Sequence, residues 1–209
     1  MLCSDTPLAP CGCPGAAVVN APRRRLIRIA AAGMAAPLAL AAWPAAPPFA
    51  GDRLVEVDAE GPPAPLRVAD LKPGKPVVAY PFDAKRNAPR DETRLNKIVL
   101  IRLPEADMAA DMAAHLTPGM SAETRARAAG GVLAYSAICT HQGCDVKTWL
   151  AKERVLVCYC HASKFTPLDS GTVISGPAPR ALPAIPLALD GDHLVIAGAF
   201  TTAPGGSPA

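Results

Sequence analysis

The two blocks Cys139-Thr140-His141-Gln142-Gly143-Cys144 and Cys158-Tyr159-Cys160-His161-Ala162-Ser163 constrain this chain more than any other feature. Each block holds a cysteine and a histidine close together, Cys139 with His141 and Cys158 with His161. The 16 residues between His141 and Cys158 are enough for a turn and a returning strand. Two loop tips can therefore close on one another from opposite sides. Two thiolates and two imidazoles form a mixed donor set, and its chemistry fits a two-iron, two-sulfide cluster. Four thiolates would leave a large negative charge, whereas two neutral imidazoles on one iron remove two of those charges and lift the potential to roughly −150 to +300 mV.

If those four side chains hold metal, Cys144 and Cys160 remain on the same two loops. In an oxidising compartment that pair can join the loops as a disulfide. A mononuclear zinc site would use the same four ligands, but zinc knuckles space paired ligands by two to four residues and Cys139-x-His141 has one. Two structural disulfides would use all four cysteines and leave both neighbouring histidines unexplained. His115 and His193 have no cysteine beside them and read as ordinary surface or turn histidines.

The blocks resemble those of Rieske proteins, C-T-H-x-G-C followed by C-x-C-H-x-S, in the disulfide-containing branch. The likeness extends to Gly176-Pro177-Ala178-Pro179, similar to the proline loop that covers the cluster in that family. The resemblance implies one [2Fe-2S] cluster, with Cys139 and Cys158 on an inner iron and His141 and His161 on a solvent-facing outer iron. Ser163 stands where the family has a hydroxyl that donates to a bridging sulfide, a bond that favours the reduced cluster. Phe165 departs from the pattern. High-potential members carry a tyrosine there that donates to a ligand sulfur, so a phenylalanine predicts a potential in the middle or lower part of the range. Reduction raises imidazole basicity, so electron uptake is expected to depend on pH.

The net charge of +3 is unevenly placed. Arg23, Arg24, Arg25 and Arg28 against Asp5 account for it, and residues 51–209 balance to zero, without the basic stripe that nucleic-acid binding needs. The run Arg23-Arg24-Arg25-Leu26-Ile27-Arg28 precedes a stretch that is uncharged until Asp52, and it resembles a twin-arginine export signal. That route carries folded cargo, which a protein loaded with its cluster in the cytoplasm requires, and it implies a periplasmic location. Residues 29–43 are shorter than the roughly 20 apolar residues that span a bilayer. A cleaved signal is favoured, and membrane association through residues 26–49 stays open. Cys3, Cys11 and Cys13 lie upstream and take no ligand role.

Residues 1–50 thus read as a leader and 51–209 as one all-β domain, a Rieske-type antiparallel sandwich with a cluster-binding part at 132–180. Short apolar runs punctuated by the chain's 24 prolines and 16 glycines predict strands over 77–80, 97–103, 132–136, 154–158, 172–174 and 194–197. Asp190-Gly191-Asp192 signals a hairpin between residues 185–189 and 193–197. Residues 104–130 read as a helical insertion, with helical texture over 105–116 and 121–129. Within it Met108, Met112 and Leu116 recur at helical spacing, a pattern of core packing more often than of docking. Trp149 is expected to pack beneath the cluster.

No G-x-G-x-x-G, no nucleophile with a base and no 2-His-1-carboxylate set accompanies the blocks. The chain reads as a one-electron carrier, a subunit of an oxidoreductase and not a complete catalyst. The resemblance implies a larger redox partner, a molybdenum-containing oxidoreductase or cytochrome b, and an acceptor such as a c-type cytochrome. The weak leader and Phe165 favour an arsenite-oxidase-like small subunit over the Rieske subunit of a cytochrome bc complex. Oxygenase ferredoxins, which ordinarily lack Cys144, Cys160 and an export signal, come last.

Overall fold

A computed structural model of the chain describes residues 49–57, 59–104 and 119–206. All of them belong to one compact unit, Ala42–Ala209. Residues 1–48 of the leader and the expected helix over 105–116 lie outside the described residues, as does His115.

Two antiparallel sheets build the domain. The larger contains β1 (Arg53–Glu56), β2 (Pro76–Asp83), β3 (Ala88–Pro89), β4 (Ile98–Arg102), β5 (Val132–Ser136), β10 (Leu187–Asp190) and β11 (His193–Ile196). Its order is β10-β11-β1-β2-β4-β5, with β3 paired to β2. The smaller sheet runs β6 (Thr148–Leu150), β7 (Val155–Cys158), β8 (Ser163–Thr166), β9 (Thr172–Ser175).

The pair β4–β5 positions the site. Successive side chains on a strand point to opposite faces, and here both faces are covered. Ile98, Leu100, Val132 and Ala134 pack with Leu54, Leu71, Ile185 and Leu194 on one side. Val99, Ile101, Leu133 and Tyr135 pack on the other with Trp149, Leu156, Phe165, Cys139 and Cys158. This explains why Ile98-Val99-Leu100-Ile101 is apolar without alternation: it is the shared wall of two cores. The Trp149 indole lies in the same core as Cys139 and Cys158.

Tyr135 fastens the smaller sheet to this wall. Its buried hydroxyl donates to the Pro167 carbonyl at 2.6 Å, just past β8. Burial pushes its pKa up to about 12, against the opposing pull of a hydrogen bond with Thr124 and of the Arg127 charge.

Several boundaries differ from the sequence expectation. The strand expected over 77–80 extends to Pro76–Asp83, and Lys97 and Leu103 fall outside β4. The strands β1, β3, β6 and β8 had no counterpart. The second helical stretch shrinks to α1 (Ala122–Arg127), where the Ser121 hydroxyl accepts the Thr124 N–H and caps the first turn. The hairpin at Asp190 closes as expected, Asp190 facing His193 across Gly191 at φ 63°. Among the described residues no helix is long and apolar enough to cross a membrane.

Candidate metal centre

The first block grows out of β5. Ala137 N donates to Lys97 O, Val146 N to Ala137 O and Cys139 N to Cys144 O, so the chain leaves the sheet, turns and comes back alongside itself. Gly143 N closes the turn on Cys139 O at 3.1 Å with φ +74°, a left-handed geometry that favours glycine. Behind the turn, Asp145 pairs with Arg94 and with Lys97, the latter at 3.4 Å. Burial raises the Asp145 carboxyl, but these two cations outweigh it and hold it below its ordinary value of 3.8.

The second block is the tip of the β7–β8 hairpin. Cys158 faces Ser163 in register, and residues 159–162 form the loop, with Ala162 at φ 58°. The two loops meet. Cys139 and Cys158 are free and buried at the loop bases. Of the histidines carried further out, His161 is exposed and His141 is half-buried. Their Nδ1 atoms lie 3.2 Å apart, with the rings crossed at 87°. Cys144 and Cys160 form a disulfide between the loops with Cα atoms 6.5 Å apart, inside the usual range. The Cys158 sulfur lies within 4.8 Å of those two, but sulfurs already bonded to each other supply no thiolate.

Burial pushes the Cys139 thiol up, and Cys158 beside it acts in the same sense, while the His141 backbone N–H and the Ser163 hydroxyl oppose them. Ser163 Oγ accepts the Ala178 N–H at 3.2 Å, which leaves its own proton free for a sulfur acceptor. Gly176 in the proline loop has φ +90°, and a Cβ there would stand 2.5 Å from Ser163 Cα. The loop therefore rests backbone on backbone against the second block, with Pro177 and Pro179 exposed and Ala178 buried. Phe165 is fully buried on β8 opposite Leu156 and offers no hydrogen bond.

The sequence reading missed Thr140 and Arg180. Thr140 is buried and its Oγ1 donates to Arg180 O at 2.7 Å, tying the first block to the end of the proline loop. A polar residue inside an otherwise closed motif was the available signal. Arg180 carried none, because its partners are carbonyls and a hydroxyl of a distant segment.

Residues 66–186 match the Rieske [2Fe-2S] domain family. That is more than half of the 209-residue chain, and the chain belongs to this family. The putative respiratory nitrate reductase Rieske subunit of Haloferax mediterranei is 42% identical over 79 residues, 36% of this chain and 35% of that protein. The cytochrome bc1 complex Rieske iron-sulfur subunit of Corynebacterium diphtheriae is 44% identical over 72 residues, 34% of this chain and 18% of that one. The chain thus spans about a third of the first relative and under a fifth of the second. Among solved structures, the ferredoxin of carbazole 1,9a-dioxygenase from Nocardioides aromaticivorans superposes with a TM-score of 0.40 at 17% identity, over 64% of this chain and 94% of that one.

The family takes one [2Fe-2S] cluster, and the side chains present fit it. Two nitrogens bound at about 2.0–2.1 Å to one tetrahedral metal stand roughly 3.3–3.4 Å apart, close to the 3.2 Å between the histidines. Cys139 and Cys158 are the two free cysteines among the described residues and lie together. A metal removes thiol protons outright, so the upward pull of burial on Cys139 is no obstacle.

Proposed function

We propose that Cys139 and Cys158 hold the inner iron and His141 and His161 the outer iron of this cluster. On that basis the chain passes single electrons as the small subunit of an exported oxidoreductase of the arsenite-oxidase-like kind. Membership of the Rieske family carries the electron-transfer part. The observation that carries the ligand assignment is the pair of facing Nδ1 atoms above two buried free cysteines. When bound, the cluster supplies a one-electron couple. This chain's residues do the rest. The proline loop and the β7–β8 hairpin exclude water from the cysteine side, the disulfide holds the two loops in register, and His161 presents an exposed edge through which an electron can pass.

Two observations support export. The cross-loop disulfide belongs with an oxidising compartment. The Arg23-Arg24-Arg25-Leu26-Ile27-Arg28 run precedes the domain. The relative named as a nitrate reductase subunit supports a partner outside the cytochrome bc class. The relative from a cytochrome bc1 complex favours the second reading, a Rieske subunit serving cytochrome b. Both readings imply a larger redox partner and an acceptor such as a c-type cytochrome. Purifying the native chain with its bound partner separates them. A molybdenum-containing subunit supports the first reading, and cytochrome b overturns it in favour of the second. N-terminal sequencing of the same material tests the leader, since a mature chain that starts at Met1 contradicts cleavage.

A further inference from the structure

We propose that the C-terminal tail, residues 198–206, forms with Arg180 a clamp that fixes the His141 loop, and that Arg180 is a positioning residue for the cluster. This rests on the reading of His141 as a ligand.

After β11 the tail folds back along the residues that follow the proline loop. Ala197 N donates to Pro186 O, Thr201 N to Ala184 O, and Ala184 N to Thr201 Oγ1 at 3.0 Å. The tail then meets the Arg180 side chain. Nη1 donates to Thr202 Oγ1 at 3.1 Å, and Nη2 donates to Ala203 O at 2.8 Å and to Gly205 O at 2.7 Å. The Arg180 carbonyl, on the same residue, accepts Thr140 Oγ1 from the Cys-Thr-His triplet. One residue thus joins the tail, the proline loop and the first ligand block.

The tail also presses on that block directly. A Cβ on Gly206 would stand 2.6 Å from His141 O and 3.2 Å from Gln142 Cα and Gly143 N, so the tail backbone lies against the ligand loop as closely as only glycine permits. Gly205, at φ +97°, makes the turn that brings it there. Two glycines in succession and a guanidinium making three bonds hold this segment against the ligand block at a spacing that a larger residue would break. The part of the site that is braced carries a half-buried histidine at a loop tip, where outer contacts decide how well a ligand is oriented.

The test uses the full-length holoprotein. Iron release to excess chelator and the electron paramagnetic spectrum after reduction are compared in Arg180→Ala, Arg180→Lys, Gly206→Val and the Arg180→Ala/Gly206→Val double variant. His141→Ala serves as the reference for ligand loss. Ile196→Val, in the opposite core, is the control for general destabilisation. Arg180→Ala and Gly206→Val should each release iron roughly tenfold faster and broaden the spectrum, with Arg180→Lys between them and the native chain. The double variant should be no faster than the quicker single, because both break one clamp. Ile196→Val should keep the native rate while losing thermal stability. Release that merely tracks melting temperature across all variants, or a native rate in Arg180→Ala, overturns the clamp. If His141→Ala keeps a native cluster, the ligand reading falls with it; if His141→Ala loses the cluster and Arg180→Ala does not, only the clamp falls.

Discussion

Removing the Cys144–Cys160 disulfide tests how far the cluster-binding loops depend on a covalent tie. The bridge closes a sequence separation of 16 residues. In the chain-entropy account, a closed loop of that size removes on the order of 10 cal/mol/K from the unfolded ensemble, or about 3 kcal/mol at 25 °C. For a domain of this size, each kcal/mol moves the melting temperature by about 2–4 °C. The Cys144→Ala/Cys160→Ala variant should therefore melt roughly 6–12 °C below the parent. The comparison is made on iron-free protein, so that metal loss does not couple to unfolding. Urea titration of the same pair should show a lower midpoint and a slope no smaller than the parent's, since an unfolded chain freed of the bridge exposes at least as much surface. Mild reduction of the parent should reproduce the variant's shift, because both break the same tie. A double variant that melts with the parent, or a reduced parent that does, refutes the argument that the bridge stabilises the domain by restricting its unfolded chain.

Three further outcomes follow. Tyr135→Phe leaves the buried Pro167 carbonyl without its donor and should cost about 1–3 kcal/mol in denaturant titration. The phenol's folded pKa of about 12 exceeds its ordinary 10, so its contribution is full below pH 10 and is lost as pH rises through about 12; the variant's stability should lack that alkaline decline, and an unchanged decline contradicts the assignment. Phe165→Tyr places a hydroxyl on β8 within the core that contains Cys139 and Cys158; if it donates to a ligand sulfur, the midpoint rises by roughly 40–60 mV for a bond favouring the reduced state by about 1–1.4 kcal/mol, and an unchanged midpoint removes the argument from Phe165. Gly176→Ala drives a Cβ into the Ser163 backbone at 2.5 Å and should cost about 1–3 kcal/mol with faster iron release; native stability would show that the proline loop is not seated on the second block.

What could be read from the sequence divides along physical lines. Residues 132–136 are legible as a strand with the observed bounds because they form a short apolar run set off by glycine. The turn at Gly191 was legible because a two-residue hairpin loop demands such chemistry. The strand β8, Ser163-Lys164-Phe165-Thr166, was not: it holds one apolar residue among three polar ones, it starts inside the ligand block at Ser163, and its pairing is interrupted by a register shift between Lys164 and Phe165. The strand β6 has three residues, too few for periodicity to speak. At the site, the cysteines and histidines declared themselves by residue type and spacing. Thr140 offered only its polarity inside the motif, and Arg180 and Gly206 offered nothing, because a hydrogen bond to a distant carbonyl, or a close approach of two backbones, leaves no pattern in a single chain.

The central claim is that Cys139, His141, Cys158 and His161 together hold one cluster. Iron and acid-labile sulfide counted per chain, in the purified holoprotein and in Cys158→Ser, test it most directly. The account predicts two irons and two sulfides in the native chain and the loss of both from the variant; a variant that keeps its sulfide, or a native chain holding a single zinc ion, contradicts it.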